Sequence, residues 1–255
     1  IDLLLTMNGS PYEEGKTDTR LDLAVRRAAE VNAPMIYLNQ VGGQDDLVFD
    51  GGSFVVDADG TLLERSPMFM EDLSFFDLDT ASEHQQVGVI AAKPDPDEEV
   101  YTACVLGLKD YMAKNHFKGV CLGLSGGIDS ALVAVMCVDA FGADRVHAYM
   151  LPGPYSTDHS LTDAEELGAN LGIKTEAISI VGPYEAFVAA LEPAAGGKLS
   201  GLASENTQAR CRMVCLMALS NTYGWMMVNT GNKSEAAMGF STLYGDTSGA
   251  FAPIG

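Results

Sequence analysis

The stretch Gly119-Val120-Cys121-Leu122-Gly123-Leu124-Ser125-Gly126-Gly127-Ile128-Asp129-Ser130 decides the fold. Val120–Leu124 is a short apolar run that suits a strand buried on both faces. Ser125, Gly126 and Gly127 then turn the chain, with no Cβ in the way at the two glycines. From Ala131 to Phe141 no helix breaker occurs until Gly142, so the spacing predicts a helix closed by a glycine cap. A helix that starts behind a glycine turn aims free N–H groups and a positive dipole end at whatever lies above it, which favours phosphate. The loop has no lysine and no Gly-Lys-Ser/Thr ending, so it is not a Walker loop. It carries Asp129 instead. A carboxylate beside phosphates makes sense if it holds Mg²⁺. An ordinary strand–turn–helix corner is the alternative.

Downstream, strands and helices alternate. Arg145–Leu151 reads as a strand, Ser160–Asp163 as the cap of a helix ending at Gly172, and Lys174–Ile180 as a strand. Pro183–Leu191 reads as a helix, Ser204–Tyr223 as a long helix, and Trp225–Val228 as a further buried strand. This rhythm predicts a parallel sheet covered on both faces, with ligands above the strand C-termini. Upstream, Leu3–Met7 and Met35–Leu38 read as strands around a helix that Thr17 or Asp18 caps and that runs to Glu30. Gln40–Gly52 is polar and glycine-rich, and Ser53–Asp57 with Thr61–Glu64 reads as a hairpin. Val87–Asp97 reads as a linker, and Asp95 or Asp97 as the cap of a helix to about Lys114.

The 255 residues fit one large or two ordinary domains. A net charge of −20 argues against nucleic acid or an anionic membrane as partner. Polyphosphates would then bind only where local N–H groups, Mg²⁺ and a few placed cations overcome that field. Five cysteines with apolar neighbours and no Cys-Xaa-Xaa-Cys pair suggest buried thiols in a reducing, cytoplasmic setting. Cys211 and Cys215 share a helix face, where core packing is preferred to a metal pair. His84, His116, His147 and His159 show no cluster spacing and receive no catalytic role. No signal peptide or membrane span is visible. Ile1–Met7 already reads as a core strand and nothing closes the chain after Ile254, so a fragment of a longer protein is expected.

Ser125-Gly-Gly-Xaa-Asp-Ser130 resembles the pyrophosphate loop of the ATP pyrophosphatase group. Asn8-Gly9-Ser10-Pro11-Tyr12, Tyr37–Asp45 and Phe49–Ser53 resemble the C-terminal half of a nitrilase-type amidase domain. Leu151–Thr157, Glu205-Asn206…Ala209-Arg210-Xaa-Arg212-Met213, Thr230–Glu235 and Gly239–Asp246 closely resemble the synthetase domain of the glutamine-dependent NAD synthetase family. The resemblance covers nearly the whole chain in family order. It implies an α/β chain: the C-terminal part of a nitrilase-like α-β-β-α sandwich over 1–88, a linker over 89–97, and a C-terminally truncated Rossmann-like domain of the adenine nucleotide alpha hydrolase type over 98–255.

The activity that the resemblance implies is a carbon–nitrogen ligase. It adenylates deamido-NAD with ATP and amidates it to NAD with nitrogen from glutamine, releasing AMP and pyrophosphate. Gly123, Leu124, Ser125, Gly126, Gly127, Ile128, Asp129, Ser130 and Thr230 would bind ATP. Asn206, Arg210, Glu235, Phe240, Ser241, Thr242 and Leu243 would meet deamido-NAD, and Asp129 with Glu235 would hold Mg²⁺. Ser10 and Lys16 would contact glutamine. The family's glutaminase Cys, Glu and Lys are expected upstream of Ile1, so no catalytic residue is assigned and the fragment alone is expected to be inactive. A homo-oligomer is implied, with no nucleic acid or membrane partner. Plain roles compete at several positions: a dipole-favoured acid at Asp129 and Glu235, core packing at Phe240 and Leu243, an ion pair to Glu205 or Asp246 for Arg210. Pro152-Gly153 departs from the family's usual Pro-Ser, and Asp246–Gly249 also differs. Another amidotransferase with the same phosphate loop, or a non-catalytic module, is the alternative function.

Overall fold

Two stretches of alternating strand and helix build the computed structural model, which describes residues 1–79, 82 and 85–255. His84 lies outside the described residues. The chain divides into two units, Ile1–Asp110 and Tyr111–Gly255.

In the first unit β1 (Leu4–Asn8) and β2 (Met35–Asn39) run parallel, joined by α1 (Lys16–Val31). Then follow β3 (Val41–Gln44), β4 (Leu47–Asp50), β5 (Phe54–Val56) and β6 (Leu62–Arg65). The main sheet has the order β1-β2-β5-β6, with the last two strands antiparallel. One face is closed by α1, whose Ala24 and Ala28 pack on Met35, Phe54 and Val56. Small residues let the helix approach the sheet this closely. Two expectations shift. Neither Thr17 nor Asp18 caps α1: Gly15, in the left-handed region at φ 73°, occupies that place with no side-chain bond. The polar Gln40–Gly52 stretch forms the β3–β4 hairpin, because its glycines sit where Val41 pairs with Asp50 and Gly42 with Phe49. Part of the expected linker is also pinned down: Gly88 N–H donates to Leu63 O at 2.8 Å and Ala91 N–H to Arg65 O at 2.9 Å, extending the sheet past β6.

After β6 the chain forms α2 (Pro96–Lys114), where Asp95 Oδ1 accepts the Asp97 N–H at 3.0 Å. The second unit holds β7 (Val120–Gly123), α3 (Ile128–Phe141), β8 (Val146–Met150), α4 (Asp158–Leu171), β9 (Lys174–Ala177), α5 (Val181–Ala195), α6 (Leu202–Tyr223), β10 (Met226–Met227) and α7 (Lys233–Met238). Its sheet has the order β10-β7-β8-β9 and is parallel throughout. The order reverses between β7 and β10, and a reversal of this kind opens a crevice at the C-terminal edge. Val120, Cys121 and Leu122 are fully buried, as their uninterrupted apolar run requires.

Several boundaries differ from the sequence pattern, among them the starts of α5 at Val181 and α6 at Leu202. The helix α4 starts at Asp158, before Ser160, with no side-chain cap at Thr157. The α5 helix continues to Ala195, past Pro193, and closes at Gly196 in the left-handed region. The outer strand β9 ends at Ala177, and β10 is two residues long. Beyond β10 the ladder continues irregularly, with Val228 N–H donating to Cys121 O at 2.9 Å and Val228 bridging Phe251. Cys211 packs with Cys121 in the core, and burial pushes the Cys121 thiol up to about 12. Among the described residues no three His, Cys, Asp or Glu side chains converge as a metal site, and no helix is long and apolar enough to cross a membrane.

Candidate functional site

The corner between β7 and α3 is held by its own side chains. Ser125 N–H donates to Ser130 Oγ at 3.2 Å, Gly127 N–H donates to Ser125 Oγ at 3.1 Å, and Ser130 Oγ donates to Gly127 O at 3.0 Å. Ser130 is buried beneath the turn, whereas Ile128 is 80% exposed. Gly126 has φ 80°, and a Cβ there would stand 2.5 Å from Ser160 O on α4. Glycine is therefore demanded twice, by dihedral and by space. Asp129 sits in the first turn of α3, half-buried.

Above the switch point lies a cavity of about 410 Å³. Gly123, Leu124 and Ser125 enter it from the C-terminal end of β7, and Thr230 from the loop beyond β10. The remaining loop residues through Ser130 lie off its wall. Behind Thr230, the buried Asn229 ties its own loop to the 246–248 segment: its Nδ2 donates to Asp246 O at 2.7 Å and to Ser248 O at 2.8 Å, and its Oδ1 accepts from Gly231 N–H at 2.6 Å.

A second cavity of about 350 Å³ adjoins, lined in part by Glu235 and Ser241. Glu235 forms a capping box with Asn232: its Oε2 accepts the Asn232 N–H at 3.1 Å while its own N–H donates to Asn232 Oδ1 at 2.9 Å. One carboxylate oxygen is thus engaged by backbone. The expected dinucleotide residues meet pairwise. Thr242 Oγ1 donates to Asn206 Oδ1 at 2.7 Å, and Arg210 Nε donates to Leu243 O at 3.1 Å. Among the described residues Arg210 makes no ion pair with Glu205 or Asp246. Phe240 and Leu243 stand largely in solvent, at 79% and 67% exposure, so neither is core.

In the first unit Ser10 and Lys16 have local partners. Ser10 Oγ accepts from Arg20 Nε at 3.2 Å, and Lys16 Nζ lies 3.2 Å from Glu13 Oε2. Arg20 is itself buried, with Nη1 2.6 Å from Asp50 Oδ2 and Nη2 bonded to the carbonyls of Ser10 and Pro11.

A family model described as NAD synthase matches residues 100–255. The chain belongs to the NAD synthase family. Over residues 1–86 this NAD synthase-family chain also matches the carbon-nitrogen hydrolase model, so its fold joins a hydrolase-type segment to a Rossmann-like parallel-sheet domain. It is similar to the glutamine-dependent NAD(+) synthetases of Rhodobacter capsulatus (46% identical, 99% of this chain, 46% of the relative) and Synechocystis (46% identical, 100% and 46%). The chain spans about half the length of the curated relatives it matches. A solved glutamine-dependent NAD+ synthetase from Acinetobacter baumannii, in complex with ADP, superposes with TM-score 0.94 at 41% identity, covering 100% of this chain and 48% of that one.

Sequence reasoning missed Asn229 and Arg212 as site residues. Arg212 lines the first cavity, and its Nε donates to Leu151 O at 3.0 Å. Its presence one helical step from Arg210 was the available signal. The direction in which each arginine points depends on the packing of α6.

Proposed function

We propose that the whole protein makes NAD from deamido-NAD, ATP and glutamine. The observation that carries this reading is the glycine corner of Gly123–Ser130 at the switch point, beside a cavity that Thr230 enters from the loop beyond the neighbouring strand. The relatives' names and the ADP found in the Acinetobacter structure support the same reading.

In this reaction the nicotinate carboxylate attacks the α-phosphorus of ATP. The α–β bridging bond breaks and pyrophosphate leaves. Ammonia released from glutamine then attacks the acyl carbon, AMP leaves with the bonding pair, and a proton is lost to give the amide. Such chemistry asks for charge neutralisation and alignment more than for a side-chain nucleophile. Backbone N–H groups at the start of α3 would take phosphate oxygens. Asn206 and Arg210 would seat deamido-NAD, with Thr242 orienting Asn206 and the exposed Phe240, Ser241 and Leu243 closing over it. Ser10 and Lys16 would meet glutamine in the first unit.

The donor set suits Mg²⁺, which binds through one or two carboxylates plus substrate phosphates. Asp129 and Glu235 follow the adjacent strands β7 and β10, and Glu235 keeps one oxygen beyond its capping box. These two residues would hold the ion, which would neutralise charge on the phosphates. A cytoplasmic, homo-oligomeric protein fits this reading, and a solution mass measurement checks the assembly.

The deciding experiment replaces Asp129 by Asn in the whole protein. Synthesis should fall at least tenfold whether glutamine or ammonia supplies nitrogen. Unchanged turnover, or pyrophosphate release that depends on an acceptor other than deamido-NAD, would overturn the proposal.

A further inference from the structure

Among the described residues lining the larger cavity, Arg212 is the only basic one. Leu124, Leu151, Met213 and Leu216 supply apolar wall to the same cavity. The guanidinium is fixed at one corner, by Nε to the Leu151 carbonyl just beyond β8. None of the ion pairs among the described residues includes it. The one carboxylate lining the same cavity, Asp246, spends Oδ1 on the Thr242 amide. Burial lowers the Arg212 pKa from its ordinary value, the direction expected of a cation without a countercharge. Keeping such a group costs free energy unless a ligand uses its donors.

Space has been left for it. A Cβ on Gly153 would stand 3.3 Å from Arg212 Nη2 and 2.9 Å from Gln208 Oε1. The position that departs from the family's usual Pro-Ser is therefore the one that leaves the guanidinium its place.

We propose that Arg212 is a nucleotide-binding residue whose two terminal amino groups donate to acceptor atoms on the base–ribose half of ATP. The proposal rests on the reading of the cavity as an ATP site, and it adds the residue and the half of the ligand. Phosphate belongs at the start of α3, above β7. Arg212 is anchored on the next strand over, against apolar walls that suit a flat heteroaromatic ring rather than a phosphate. A guanidinium offers this ring a fixed fork of donors and a plane to stack on.

The test uses the whole protein and reads equilibrium binding of ATP and of pyrophosphate, which does not require turnover. Arg212→Met should weaken ATP about 10- to 100-fold, the range for hydrogen bonds to a charged group, and leave pyrophosphate within twofold. Arg212→Lys should fall between. Gly153→Val, which crowds the guanidinium from outside, should weaken ATP in the Arg212 protein and add nothing further in the Arg212→Met background. ATP binding within twofold of wild type in Arg212→Met overturns the proposal, and so does equal weakening of pyrophosphate. A wild-type protein that binds no ATP sinks the reading of the cavity itself, a result distinct from either. Should Arg212→Met fail to fold, Arg212→Lys and Gly153→Val decide on the same readout.

Discussion

Thr242 donates its hydroxyl to Asn206 at 2.7 Å, joining the loop after α7 to the first turns of α6 across 36 residues of chain. Thr242 is buried, and its carbonyl accepts from Thr247 Oγ1 at 3.1 Å. The bond fixes which way the Asn206 amide faces. Thr242→Val keeps the shape and removes the donor. The expected outcome is a KM for deamido-NAD raised about three- to tenfold, the worth of one neutral hydrogen bond, with KM for ATP unchanged. Steady-state kinetics on Thr242→Val, Asn206→Ala and the double variant check it: the double should be no worse than Asn206→Ala alone.

Gly126 admits no side chain. In Gly126→Ala a methyl group must meet the Ser160 carbonyl while the backbone stays at φ 80°. Strain of this kind costs about 1–3 kcal/mol. A lowered melting temperature and at least tenfold weaker ATP binding are expected, while Gly196→Ala, where nothing lies within 4 Å, should leave ATP binding untouched.

Arg20 and Asp50 are 7% and 1% exposed. Arg20→Met strands the Asp50 carboxylate and frees the Ser10 and Pro11 carbonyls, so a loss of about 3–5 kcal/mol is expected. Denaturant unfolding of the variant measures it. Pairing Arg20→Met with Asp50→Leu should recover part of the loss, because no charge is then left buried.

Glu99, near the start of α2, has its pKa raised by burial, with the Tyr12 hydroxyl pulling the other way without reaching hydrogen-bond geometry. An acid raised in the folded state holds its proton longer there than in the unfolded chain. Stability therefore falls as pH rises from the ordinary glutamate pKa through the folded one, and the deficit persists above it. Glu99→Gln should melt higher than wild type at pH 7, and the gain should vanish below about pH 4. Melting curves across that range settle the sign.

The two sheets, the order of strands and helices in the Rossmann-like domain and the glycine corner between β7 and α3 were legible in the sequence, because buried parallel strands leave uninterrupted apolar runs such as Val120–Leu122 and glycine marks the turn. Helix starts were less so. Neither Gly15 before α1 nor Thr157 before α4 makes a side-chain cap, so there was no capping residue to read. The edge strand β9 resisted for another reason: its residues are mostly exposed and its Lys174-Thr175-Glu176-Ala177 sequence carries little apolar signal. Within the site, the meeting of Asn206 with Thr242 was not legible, since it depends on how the loop after α7 folds back. Arg212 was hidden similarly. Its value lies in what Gly153 leaves open, and an unoccupied space has no letter of its own in the chain.

Ser125, Gly127 and Ser130 are bonded to one another, and Gly126 lies flush against Ser160. A corner tied down by its own side chains surrenders little disorder to any ligand it takes. Calorimetry should accordingly find the loop's share of the association governed by heat rather than by ordering, and amide hydrogen exchange at Gly127, whose N–H is held by Ser125, slower than at an unbonded loop amide.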